Sequence, residues 1–264
     1  MKPKILIGTA GSPGSSTLEG IQIIKQKHLH ALEVEFVHGI HMSNSLAEQI
    51  GQQARKLNIS LSVHAPYHIN LNSKEKSIIQ ASKKRILTSC ERAHYLKANY
   101  VVFHPGYYSS FTPEQTFQNI KQQILEIQDI IKEQNYKVKL APETTGKINV
   151  FGSLDEILEL QKQTNCYFCI DFAHLRSRLQ NDFNYNEIFS KIKPFNHLHS
   201  HFSGIEYSSK GERRHILTPL TEIKELAKEI LKRKINITII NESPNPLLDS
   251  LKTKKIFEDL GYKF

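Results

Sequence analysis

Apolar residues gather into eight short runs along the chain, separated by longer stretches in which apolar positions recur at helical spacing. The runs are KILIGTA (4–10), ALEVEFVHG (31–39), ISLSVHAP (59–66), YVVFHPG (100–106), YKVKLAPET (136–144), CYFCIDFAH (166–174), NHLHSHFSG (196–204) and INITIINESP (235–244). Near-continuous runs of this kind suit parallel strands covered on both faces. Between them, LAEQIGQQARKL (46–57) keeps the helical period. The segment from Thr112 opens with Thr as N-cap, Pro at the first helical position and an acid in the first turn. Residues 220–234 repeat the pattern with Thr221 as cap, residues 247–261 end on Gly261 at a C-cap position, and Asn-Leu-Asn-Ser at 70–73 reads as another cap. Eight strand–helix units in 264 residues predict a (β/α)8 TIM barrel, for which about 250 residues is typical. A doubly wound open sheet is the alternative. No Pro/Gly/Ser-rich linker or shift in composition divides the chain, so residues 1–264 read as a single domain.

Composition narrows the class. Hydrophobic residues make up 39% and charged residues 23%, as in ordinary globular proteins. No apolar run approaches the roughly 20 residues of a membrane span, so no membrane partner is expected. MKPKILIGTAG reads as a first strand rather than a signal peptide. Cys166 and Cys169 form a C-x-x-C, but inside a strand pattern and without a second such pair. They read as buried strand cysteines and suggest a reducing compartment: the cytoplasm, in association with the nucleoid. A net charge of +9 and a pI near 9.3 favour a polyanionic partner, against the alternative of a Lys-rich proteome.

The candidate chemistry lies where the strands stop. Barrel enzymes build their sites at the C-terminal strand ends. Here the third to eighth runs end on His64, His104, Glu143, Asp171 with His174, His201, and Glu242. Buried unpaired carboxylates are expensive, and clustered ones repel unless cations sit between them. Imidazole and carboxylate together suit zinc, manganese or iron, and the number of donors exceeds what one tetrahedral ion needs. Within HLHSH, His197, His199 and His201 share one strand face, and His201 is chosen as nearest the strand end.

The segments VHAPYHINLNS, VFHPG, LAPETTGK, CIDFAH, HFSGIEYSSKGERRH and NESPNP, in this order, resemble the successive motifs of the endonuclease IV family of apurinic/apyrimidinic endonucleases, in its compact archaeal-type branch. The resemblance implies a TIM barrel with a multinuclear site of two or three Zn2+ ions, Mn2+ or Fe2+ being alternatives. By motif, His64, His104 and Glu143 resemble the ligands of a first metal. Glu143 would bridge to a second, also held by Asp171, His201 and Glu242, while His174 and His215 resemble ligands of a third. Glu143, His64 and Asp171 are thereby the implied catalytic residues. Many members carry Asp-Arg-His at the third metal; here the segment is Gly-Glu-Arg-Arg-His, with Arg213 where that Asp would stand. Glu212, one residue further away but one carbon longer, is the candidate replacement. Tyr67 matches an aromatic that inserts into damaged DNA.

Lys147, Arg176, Arg178, Lys210, Arg213 and Arg214 fall just beyond strand ends, with Arg176, Arg213 and Arg214 the chosen DNA contacts. The implied activity is hydrolysis of the phosphodiester 5′ to abasic sites in duplex DNA, with removal of 3′ blocking groups, by a monomer. Two alternatives stay open: a sugar isomerase or epimerase on a similar barrel, and a DNA-damage binder without hydrolysis.

Overall fold

The computed structural model describes residues 2–37, 39–192 and 195–264. The chain runs β1 (Ile5–Ala10), α1 (Thr17–Gln26), β2 (Ala31–Glu35), α2 (Asn44–Leu57), β3 (Ser60–His64), α3 (Lys76–Leu96), β4 (Tyr100–Phe103), α4 (Pro113–Glu133), β5 (Lys139–Pro142), α5 (Leu154–Thr164), β6 (Cys169–Asp171), α6 (Phe172–Leu179), α7 (Tyr185–Ile192), β7 (Leu198–Phe202), β8 (Gly204–Ser208), β9 (Gly211–Ile216), α8 (Leu220–Arg233), β10 (Ile237–Asn241) and α9 (Pro246–Asp259). Eight parallel strands lie in the order β5-β4-β3-β2-β1-β10-β7-β6. The two edge strands meet through a bridge between Glu143 and Cys169, supported by Tyr167 N–H donating to the Leu140 carbonyl at 2.8 Å. The sheet is thus nearly closed into the expected barrel, with helices packed around it.

The strands are shorter than the apolar runs that predict them, for local reasons. The sixth run gives a strand only at Cys169–Asp171, because the Asp171 carboxylate accepts the backbone N–H of His174 at 2.7 Å and starts α6. The second run ends as a strand at Glu35; His38, within it, lies outside the described residues. Thr112 caps α4 in a full capping box, as its sequence predicts. Two other expected caps are corrected. Pro219, not Thr221, precedes α8, and its ring presets the backbone without a side-chain cap. Asn70–Ser73 does not cap α3. Instead the fully buried Asn72 amide donates to the Tyr107 carbonyl at 2.8 Å and to Thr116 Oγ1 at 3.0 Å, tying the β3 loop to the β4 loop. Gly261, at φ +87°, stands two residues past the end of α9, directly after the C-cap Leu260.

One element has no counterpart in the sequence reading. Between β7 and α8 the chain forms an antiparallel hairpin, β8–β9, outside the barrel. Its register pairs Glu206 with Arg214 but Tyr207 with Glu212, so Arg213 is the extra residue of a β-bulge. The hairpin docks on the loop after β5, where Glu212 N–H donates to the Gly146 carbonyl at 3.2 Å. A Cβ on Gly211 would fall 2.2 Å from that same carbonyl oxygen, and Gly211 has φ +91°, so only glycine fits there.

Candidate metal centre

Glu143, just beyond β5 and almost wholly buried, is the hub of the strand-end cluster. Its Oε2 lies 3.0 Å from Nε2 of His104 and 3.4 Å from Nε2 of His64. Its Oε1 lies 3.0 Å from Nδ1 of His201 and 3.4 Å from Nδ1 of His174. One carboxylate therefore touches four imidazoles brought by four separate segments of the chain. The His64 ring is aimed by its Nδ1, 2.8 Å from the Ala65 carbonyl, which leaves Nε2 for the cluster. His201 Nδ1 also lies 3.0 Å from Glu242 Oε1. Ligand atoms of His64, His104 and Glu143 lie within 4.8 Å of one another, and so do those of Glu143, Asp171, His201 and Glu242.

The other end of the cluster uses different scaffolding. His174, on the first turn of α6, directs Nδ1 to the Thr144 carbonyl at 2.9 Å and Nε2 towards His215 Nε2 at 3.3 Å. The His215 ring is held from behind by Ser203 Oγ, 2.8 Å from Nδ1. The Glu212 carboxylate comes within 3.5 Å of His174 Nε2 and 4.0 Å of His215 Nε2. In a regular strand, residues three apart point to opposite faces. The bulge at Arg213 restores the phase, so Glu212 and His215 both line the cavity. The one-residue offset in the sequence is absorbed by the bulge within the hairpin. Asp171, with His174 and His215, forms a further group within 4.8 Å.

The sequence reading missed two acids. Glu33 and Glu35 alternate on β2 and, with Glu242, place carboxylate oxygens within 4.8 Å of one another. Their signal was visible: charged residues at alternate positions of an otherwise apolar strand face the barrel interior. His199 and His201 are also separated by the structure. His199 Nε2 meets Glu33 Oε2 at 2.9 Å, deeper in the barrel, whereas His201 reaches the rim cluster.

Of these groups, His64, His104, His174, Glu212, His215 and Glu242 line a cavity of about 520 Å³, while Glu143, Asp171 and His201 are buried next to them. Tyr67 stands at its wall, 56% exposed, with its ring edge-on to His64 at a centroid distance of 5.9 Å. The basic residues divide. Lys147 lines the cavity, and Arg213 is exposed on the bulge. The structure directs Arg176 elsewhere: its guanidinium pairs with Glu222 at 3.4 Å and Glu225 at 3.5 Å and covers Phe183. Arg178 donates to the carbonyls of Lys147 and Val150 at 2.7 and 2.8 Å and braces the loop after β5. Arg214 is held by Glu206 through two bonds of 2.9 Å.

The electrostatics show what the donor set demands. Burial opposes the charge on Glu143, yet His201 and His104 hold its carboxyl well below the usual range. Burial likewise opposes ionisation of Glu242, but His201 carries it down to about 2. Burial disfavours protonated His64, but the bond to Glu143 and nearby carboxylates push it up to about 10. His174 and His201 are raised well above the ordinary imidazole value against their burial, chiefly by Asp171 and by Cys169 with Glu242, respectively. Glu35 goes the other way, pushed up to about 8 by burial. The cluster thus requires positive charge between its oxygens. His201 Nδ1 faces two carboxylate oxygens, and the buried Asp171 Oδ2 makes no hydrogen bond among the described residues. These are the features of a donor set that fits divalent cations.

Comparison with known proteins places this geometry. The family described as xylose isomerase-like TIM barrel matches residues 19–260. The chain is similar to an uncharacterized protein of Methanocaldococcus jannaschii, at 35% identity over 97% of this chain and 98% of that one. It is 31% identical to the probable endonuclease 4 of Mesomycoplasma hyopneumoniae over 43% of this chain and 41% of the relative. Among solved structures, endonuclease IV from Thermus thermophilus superposes with a TM-score of 0.73 at 17% identity, covering 97% and 98% of the two chains. A D-tagatose 3-epimerase-like protein superposes with a TM-score of 0.72 at 20% identity, covering 98% and 96%. At such identities the superpositions show the fold alone. Among the described residues, no helix is long and apolar enough to cross a membrane.

Proposed function

The chain belongs to the xylose isomerase-like TIM barrel family, and from that premise we propose that it is a metal-dependent phosphodiesterase acting on abasic sites in duplex DNA. The observation that carries this reading is the continuous cluster centred on Glu143, with three groups of donors side by side, each of which has a member lining one cavity. Similarity to proteins named probable endonuclease 4 supports it. His64, His104 and Glu143 would hold a first ion. Glu143, Asp171, His201 and Glu242 would hold a second, and His174, His215 and Glu212 a third. Zinc fits the nitrogen-rich donor set, with Mn2+ and Fe2+ as alternatives. Ions held there supply Lewis acidity: they lower the pKa of water and offset the charge of a phosphodiester.

The residues around the cluster then have separable tasks. The cavity admits a single flipped-out nucleotide rather than a duplex, so the lesion has to leave the stack. Tyr67 offers a ring face at the mouth, where stacking on a base is worth about 1–3 kcal/mol. Lys147 and Arg213 meet phosphates flanking the lesion. Cleavage would fall 5′ to the abasic site, and the same centre would trim 3′ blocking groups.

The rival reading, epimerisation of a small sugar, draws on the same fold and on a cavity large enough to enclose such a ligand. The two separate in one experiment. Zinc-loaded protein is incubated in parallel with a duplex carrying one defined abasic site and with a ketohexose. The proposal expects a single nick 5′ to the lesion and unchanged sugar; an epimerised sugar with intact duplex would overturn it.

A further inference from the structure

Glu33 is a carboxylate with 0% exposure in the middle of β2, and both of its oxygens face imidazoles of β7. Oε2 lies 2.9 Å from Nε2 of His199, in hydrogen-bond geometry. Oε1 lies 2.7 Å from Nε2 of His201, shorter but off the direction of the ring N–H. On the opposite edge of the His201 ring, Nδ1 lies 3.0 Å from oxygens of both Glu143 and Glu242. We infer that Glu33 is a positioning residue: anchored by its hydrogen bond to His199, it holds its other oxygen against Nε2 of His201 and, by charge, keeps the proton on that nitrogen, so that the Nδ1 lone pair is aimed between Glu143 and Glu242. This rests on the proposed metal centre only in taking His201 as a ligand.

The His201 ring decides between this role and a ligand role for Glu33 itself. Its Nδ1 faces Glu143 and Glu242, while its Nε2 faces Glu33. The donor group around the proposed second ion is Glu143, Asp171, His201 and Glu242, so Glu33 meets the ring on the side away from that ion. The alternative of ordinary core packing fails on cost. A buried carboxylate inside an apolar strand is stabilising only if something uses both its oxygens. A ring that binds a metal through one nitrogen commonly gives its other N–H to a carboxylate, and losing that partner typically weakens binding about 10- to 100-fold.

Glu33→Gln tests this. The amide has one acceptor and one donor, so it cannot take N–H groups from both rings. One imidazole must turn a lone pair to the amide and carry its proton on Nδ1, which at His201 is the side facing the ion. Zinc affinity is measured by competition with a chromophoric chelator, without DNA. The inference expects one site to weaken about 10- to 100-fold while the remaining zinc stays bound. Independently, nitrogen-15 spectra of zinc-loaded wild type should show His201 and His199 both protonated on Nε2, with the metal shift on His201 Nδ1. Affinity within twofold of wild type, or zinc on Nε2 of His201, overturns the inference. Should Glu33→Gln fail to fold, the wild-type spectrum decides alone. Zinc-loaded wild type that leaves the abasic duplex intact would count against the proposed function and leave these measurements standing.

Discussion

The two ends of the cluster are built in different ways. At one end, His64, His104 and Glu143 sit where β3, β4 and β5 stop, and the barrel register alone brings them together. At the other, His174 comes from a helical turn started by Asp171, while Glu212 and His215 come from a hairpin outside the barrel, phased by a bulge. The first arrangement is rigid because neighbouring strands hold it. The second depends on a Ser203 hydroxyl, one extra residue and a glycine contact at Gly211. The barrel end is therefore expected to bind ions tightly and the hairpin end to be the adjustable one.

The largest effect is expected at the hub. Glu143→Gln removes the charge shared by four imidazoles. It should lower cleavage more than about a thousandfold, on the order of 4 kcal/mol of barrier, and release metal from both neighbouring groups. Elemental analysis and single-turnover cleavage check this; full metal content with near-normal cleavage would remove Glu143 from the centre.

The hairpin end should respond more mildly. Glu212→Ala is expected to lose one metal per chain and to slow cleavage, while the barrel-end ions stay. Deleting Arg213 removes the bulge; coupled with Glu212→Asp it leaves Asp and His two residues apart on a regular strand, on one face. That double change should keep the third ion, whereas deletion alone, with the longer Glu, should perturb it. Equal metal content in Glu212→Ala and wild type would show that Asp171 completes the site instead.

Protonation gives an intermediate effect. His64 is pushed up to about 10, so its contribution to stability is complete below its ordinary 6.5 and is lost as pH rises through about 10. Glu35, pushed up to about 8, loses its contribution as pH rises from 4.5 through 8. Glu242, held at about 2, contributes above 4.5 and loses this as pH falls through about 2. Chelator-stripped protein should therefore show a falling Tm as pH rises above 6.5, and zinc should flatten that fall by replacing protons with cations. Parallel melting curves with and without zinc at each pH measure it; matching slopes would contradict a shared site.

The smallest effects concern the rim. Affinity for abasic duplex should fall with salt by about 0.9 in log–log slope per phosphate neutralised. Arg213→Ala and Lys147→Ala should each reduce that slope by about 1. Arg176→Ala, whose guanidinium is already paired with Glu222 and Glu225, should leave it unchanged. Filter-binding titrations resolve this.

What could be read beforehand follows the same division. The barrel was legible because eight apolar runs separated by helical periods leave few other arrangements. The strand-end donors were legible because each apolar run gives way to polar residues at or just beyond the end of its strand. The hairpin was not: GIEYS and GERRHI carry few apolar positions and lie outside the core pattern. Arg176 reads from sequence like a phosphate contact, but its direction depends on α8, distant in sequence. Glu33 and Glu35 sit inside a mainly apolar strand run rather than at its end, so their partners on β7 and at Glu242 become apparent only once the barrel brings these segments together.

The most direct test of the central claim is anomalous diffraction across the zinc absorption edge from crystals grown with zinc. The account predicts anomalous peaks bounded by His64, His104 and Glu143, by Glu143, Asp171, His201 and Glu242, and, weaker, by His174, His215 and Glu212. Crystals in zinc that show no anomalous peak at Glu143, or zinc held only elsewhere on the chain, would contradict it.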